Sequence, residues 1–352
     1  MLSNRIKIYH KLNTQLSYLS DNDIEQLFIG KEKSQGYGTN IVIEFATHKI
    51  FCKQIKITDV EYANKFDTSN LFGLPTYYNY SVGSAGINCF RELLMHIKTT
   101  NWVLSGEIEN FPLLYHYRIS KIPESEMQSV VESFDDEIKN WHSEAVGEYL
   151  RAKSNAQYHI ILFLEHIPLE AFQWLDDNYQ KNKIYLESIL KIVRFLRKNN
   201  IIHFDAHLRN ILVDNNNILY LTDFGLVSDI NFLRISNEEK DFYRKNSFYD
   251  YGMVISKLSH GLIIKFFNNI EKYGKKYGIN DRKNMTRSLR IIFQNIDKIA
   301  IELNIDNNYI ALLKKLEPII FIFKQFIDDI IQNKHTIFPN DQIKKEMRKL
   351  TI

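Results

Sequence analysis

A chain of 352 residues with 45% hydrophobic and 13% aromatic side chains has enough apolar material for one large domain or two lobes, which excludes disorder throughout. Its 45 basic and 42 acidic residues leave a formal charge of only +3. That is too little for the strongly basic field of a non-specific nucleic-acid binder, and no nucleic-acid partner is expected.

Two cysteines, Cys52 and Cys89, form neither a disulfide framework nor a C-x-x-C pair. The opening MLSNRIKIYHKLNTQLSYLS lacks the unbroken apolar core of a secretion signal, and charges or asparagines interrupt every apolar run before membrane-spanning length. The expectation is a soluble cytoplasmic protein with no membrane span.

Residues 1–23 read as an N-terminal extension. From Ile24 to Ile57 the chain is β-prone, as QLFIG, NIVIEFA and KIFCKQIKI, with THK as the turn between the last two. Three antiparallel strands are predicted. INCFRELLMHIK (Ile87 to Lys98) sets Phe90, Leu93, Leu94 and Ile97 at helical spacing. FPLLYHYRI (Phe111 to Ile119) and YHIILFLEH (Tyr158 to His166) complete a five-stranded antiparallel sheet with one helix, over residues 24–165. Within that lobe, residues 120–157 carry an excess of carboxylates and read as a helical insertion.

After Pro168 the period turns helical, first in LEAFQWL and then in IYLESILKIVRFLRKN, followed by the short strands NILVD and NILYLTD. Nearly every segment after Asp250 is helical. The fold class predicted is α+β and bilobal: a small β-rich lobe, then a larger, mainly helical lobe over 166–352.

The stretch Ile201 to Asp229, IIHFDAHLRNILVDNNNILYLTDFGLVSD, carries the chemistry. Asp205, Asn210 and Asp223 surround its two short β-runs, so three oxygen-bearing side chains can reach one mouth. Phosphoryl transfer from ATP with Mg2+ needs such a set: a carboxylate to orient and deprotonate a hydroxyl, and oxygen ligands for the metal. A metal site on His203 and His207 is the weaker alternative, since H-E-x-x-H requires a helix and a glutamate.

H-F-D-A-H-L-R-N, followed by a D-F-G whose Asp223 lies eighteen residues beyond Asp205, resembles the catalytic and magnesium loops of the protein-kinase-like superfamily. The likeness is to bacterial-type serine/threonine protein kinases, with features of aminoglycoside- and choline-type small-molecule kinases, and it extends over Ile24 to Leu258. It implies Asp205 as catalytic base and Asn210 and Asp223 as magnesium ligands. Lys53 would clamp the α- and β-phosphates, held by Glu92 on the helix. Gly36 and Gly38 in S-Q-G-Y-G-T would admit phosphate to backbone amides, and Leu164, Glu165 and His166 would form the hinge that receives adenine. His203 is a packing residue beneath the loop. Cys52, facing away from Lys53, is an inert core thiol.

Several departures bear on function. Phe204 replaces the arginine before the catalytic aspartate, so no cation waits there for a phosphorylated activation segment. His207, two residues past the base, stands where protein kinases often carry lysine and small-molecule kinases histidine or glycine. No A-P-E follows D-F-G, and the gap to the next clear helix, near Asp250, is short. His96 occupies a place where an apolar residue is usual.

The function expected is an ATP-dependent kinase acting on a Ser/Thr hydroxyl of a protein. The alternatives are a small-molecule or sugar kinase of the same fold and, behind both, a nucleotide-binding pseudokinase module. Eight lysines and arginines within 265–290 read first as a solvated helix face and second as a surface for an acidic partner.

Overall fold

The computed structural model describes residues 2–31, 34–35, 39–123, 133–279 and 285–350. The chain divides into two compact units: Met1–Pro168 with Tyr220–Lys240, and Leu169–Leu219 with Asp241–Ile352.

The first unit opens with helices α1 (Leu2–Ser17) and α2 (Asp21–Gln26). QLFIG was expected as a strand, and this is corrected. Ser20 caps α2 by accepting the Asp23 N–H while the Asp23 carboxylate accepts the Ser20 N–H, so the chain enters a helix there and leaves it through turns at 27–30. The sheet instead begins at β1 (Ser34–Gln35) and continues through β2 (Thr39–Phe45) and β3 (His48–Ile57). Ala46 and Thr47, both with positive φ, make the two-residue turn between β2 and β3.

Helices α3 (Asp59–Ala63) and α4 (Cys89–Leu104) follow, then β4 (Leu114–Lys121), α5 (Asp135–Trp141), α6 (Glu144–Ser154) and β5 (Tyr158–Glu165). All pairings in the order β1-β2-β3-β5-β4 are antiparallel. The apolar face of α4, through Phe90 and Leu93, packs on Ile55, Ile57, Leu114, Ile160, Leu162 and Leu164 of the sheet. The acidic insertion is anchored by its apolar residues: Trp141, Val146 and Tyr149 pack against Leu74, Tyr78 and Ile87. Its residues 124–132 lie outside the described ones.

The second unit contains β6 (Leu169–Glu170), α7 (Ala171–Trp174), α8 (Tyr179–Lys198), β7 (Ile201–Ile202) and β8 (Ile211–Val213); β9 (Leu219–Leu221) follows. A further helix, α9 (Asn237–Asn246), begins before the expected Asp250. Ser236 and Glu239 form the capping pair that starts it early. Helix α10 (Tyr249–Ser256) is buried along its whole length and packs on α8 and on α15 (Asn307–Gln332). Gly252 allows this approach, since a Cβ there would lie 2.6 Å from the Phe323 ring. Among the described residues no helix is long and apolar enough to cross a membrane.

Candidate active site

In the first unit the strand alternation that buries Cys52 turns Lys53 to the opposite face of β3. Helix α4 supplies the partner. Its N-cap, Asn88, accepts the Phe90 N–H and is fixed by donating to Asp67 O and Ser69 O, which places Glu92 in the first turn. Lys53 Nζ donates to Glu92 Oε1 at 2.7 Å and to Asp223 Oδ1 at 2.8 Å. Burial opposes the lysine charge, but Asp223 and Glu92 outweigh it and raise the Lys53 pKa. Burial raises Glu92 as well. The Asp223 side chain, 38% exposed against 6% for Glu92, is the open end of the triad.

His96 has an explanation in this arrangement. Its Nε2 lies 3.9 Å from Glu92 Oε1, and its ring meets Phe224 edge to face at 4.9 Å. One buried histidine thus bridges the α4 carboxylate and the residue after Asp223. Asp223 itself holds a left-handed φ of 65°. Gly86 passes so close that a Cβ would lie 2.4 Å from Gly225 O, which leaves room for glycine alone.

The segment after Asp223 is tied to the residues around α4. Lys98 pairs with Asp229 at 2.7 Å, Arg91 pairs with Glu239 at 2.6 Å, and Arg234 pairs with Asp67. None of these pairs is anticipated from the sequence, although S-x-x-E at Ser236 to Glu239 is a legible capping signal.

At the end of β5, the Glu165 carboxylate accepts from Arg5 Nε at 2.9 Å, from Arg5 Nη2 at 2.7 Å and from the Leu113 N–H. Arg5 also donates to Glu109 O and Phe111 O, so α1 is bolted to the strand that carries the proposed hinge. Burial, assisted by Lys49, lowers the His166 pKa. Gly36 and Gly38 lie outside the described residues.

In the second unit, Asp250 of α10 accepts the His203 N–H at 2.7 Å and the Phe204 N–H at 3.0 Å. Phe204 is fully buried, with a left-handed φ of 62°, and packs between Phe242 and Tyr249. His203, also fully buried, accepts the Asp205 N–H on Nδ1. These anchors fix the loop that follows. Asn210 Nδ2 donates to Asp205 Oδ2 at 2.9 Å and to Asp205 O at 3.0 Å. His207 accepts the Arg209 N–H on Nδ1, which leaves its Nε2 to face Asp205 Oδ1 at 3.6 Å.

The site residues therefore form two built clusters, Lys53, Glu92 and Asp223 in one unit and Asp205, His207 and Asn210 in the other. Among the described residues no three His, Cys, Asp or Glu side chains gather as a metal cluster. In the basic stretch, Lys265 and Lys276 pair internally with Asp177 and Glu302.

Residues 145–272 match the family model described as protein tyrosine and serine/threonine kinase. The chain is 24% identical over 234 residues to a probable serine/threonine-protein kinase of Dictyostelium discoideum, covering 62% of this chain and 35% of that protein. It is 29% identical over 124 residues to a mitogen-activated protein kinase kinase kinase of Pyricularia oryzae, covering 32% of this chain and 13% of that one. The chain thus spans well under two thirds of either relative. The lysine, its helix glutamate and the D-F-G aspartate join in one network, and the match to the kinase family model runs through the H-F-D loop, so the chain is similar to the protein-kinase-like superfamily.

Proposed function

We propose that this chain is an ATP-dependent phosphotransferase that moves the γ-phosphoryl group onto a serine or threonine hydroxyl of a protein. The observation that carries this is Lys53, bonded at once to Glu92 and Asp223. A cation fixed by two carboxylates meets phosphate oxygens without reorganising. The backbone at Glu165 and His166 receives adenine.

The residues present fit magnesium. Asn210, whose Nδ2 donates to Asp205, would offer its side-chain oxygen from the second unit, and Asp223, bonded to Lys53, would offer a carboxylate oxygen from the first. Two protein oxygens suit an ion that keeps water and phosphate as its remaining ligands. When bound with ATP, magnesium neutralises charge on the phosphate oxygens. Asp205, oriented by Asn210, accepts the proton of the attacking hydroxyl.

A small-molecule kinase is the second reading. His207 beside Asp205 and the early start of α9 after Asp223 favour it, since both depart from the protein-kinase pattern. Incubation with γ-labelled ATP and magnesium, against a lysate and against a panel of small hydroxyl- and amine-bearing compounds, separates the two. Label in protein bands supports the first reading, and label only in the small-compound fraction overturns it.

A further inference from the structure

A cavity of about 360 Å³ opens beside the Asp205 loop within the second unit. Lys257, Lys324, His260, His207, Arg209 and Phe172 line it. Lys257 lies in the turn after α10, His260 opens α11 (His260–Phe267), and Lys324 comes from α15, so three elements converge with no carboxylate among the lining residues.

The cations differ in what they already hold. Arg209 pairs with Glu170 at 3.3 Å and lies over the Phe172 ring. The His260 ring sits 3.1 Å from Phe172 O, and burial lowers its pKa. Lys257 and Lys324, in contrast, make no hydrogen bond or ion pair among the described residues. Burial first, then repulsion from Lys324, pushes Lys257 down to about 8, with Asp205 acting in the opposite sense. Burial also lowers Lys324, opposed by Asp328.

Two half-buried ammonium groups that repel each other are a destabilising arrangement for a free-standing fold. An anion in the cavity would satisfy both. The lining reaches His207, whose Nε2 is 3.6 Å from the proposed base, so the occupant would sit next to the reacting hydroxyl.

We propose that this cavity is an acceptor subsite that takes an acidic side chain, aspartate, glutamate or a phosphorylated residue, of the peptide flanking the hydroxyl on which Asp205 acts. The assignment deepens the protein-kinase reading and rests on it for the acceptor, but the anion site has a test of its own. Hydrogen bonds from two ammonium groups to one anion correspond to about a tenfold preference for an acidic over a neutral neighbour.

Two measurements on the full chain test it. In the first, inorganic phosphate is titrated without ATP, by calorimetry, into the parent, Lys257→Met and Lys324→Met. Binding by the parent that weakens at least about fivefold in each variant is expected from losing one charged hydrogen bond. Equal binding in all three overturns the site. Neither variant is expected to unfold, since methionine removes an unpaired buried charge at similar volume, and a raised melting temperature would itself support the assignment.

In the second, serine peptides with an acidic or a neutral residue at each flanking position are compared by KM and kcat. The acidic preference should appear at one or two positions and collapse in both variants through KM for peptide, leaving KM for ATP in place. Equal use of acidic and neutral peptides by the parent overturns the subsite. If no peptide is phosphorylated at all, the protein-kinase reading fails, and the phosphate titration still decides whether the anion site exists.

Discussion

Glu239 holds the Arg91 guanidinium at 2.6 Å with both side chains almost excluded from water, at 4% and 2% exposure. Arg91 also donates to Thr68 O, and its guanidinium lies 5.7 Å from the centre of the Phe232 ring. The residue next to Glu92 on α4 is therefore locked to the segment after Asp223 by the Glu239 carboxylate. A phosphate is not needed for that bond.

Glu239→Ala leaves Arg91 buried without its counter-ion, and the expected loss is about 3–5 kcal/mol of stability. Chemical denaturation of parent and variant measures it. A midpoint that does not move would show that the pair contributes nothing to holding the segment.

Asp250 gives a pH signature. Burial, outweighing the His203 and Phe204 N–H donors, raises its carboxyl from 3.8 to about 7. Between those values the folded chain keeps a proton that the unfolded chain has released. Its contribution to stability is full below pH 3.8 and is lost as the pH rises through about 7. Asp250→Asn should remove that slope. Urea unfolding at pH 5 and pH 7.5 checks it, and parallel behaviour of the two proteins would refute the assignment.

Gly86→Ala adds a Cβ 2.4 Å from Gly225 O at a φ of +82°. Gly73, at φ +65°, has nothing within 4 Å of the same added atom, so Gly73→Ala isolates the strain of the backbone alone. The Gly86 variant should lose about 1–3 kcal/mol, more than its control, because the D-F-G backbone must also shift. Thermal melts of both variants settle the order, and equal losses would mean that the contact with Gly225 is unimportant.

Much of the site was legible because it rests on short motifs. Lys53 in I-F-C-K and Glu92 in F-R-E-L-L were singled out through the family resemblance, and the two side chains meet in the structure. Asp205, Asn210 and Asp223 follow from a compact motif. What escaped depends on distant partners: Arg5 and Glu165 are 160 positions apart, and Arg91 and Glu239 are 148 apart. QLFIG was misread because its apolar residues look like a strand, while the Ser20 and Asp23 pair just before them starts a helix. His96 became intelligible only with Phe224 placed against it.

The central claim is that Asp205 acts as the base in phosphoryl transfer from ATP. The most direct measurement is the initial rate of γ-phosphoryl transfer, with magnesium and saturating ATP, by the parent and by Asp205→Asn, with melting temperatures taken alongside. The account predicts transfer by the parent and a fall of at least about a hundredfold in the variant, with the fold retained. Equal rates for the two proteins, or no transfer by the parent to any acceptor, would contradict it.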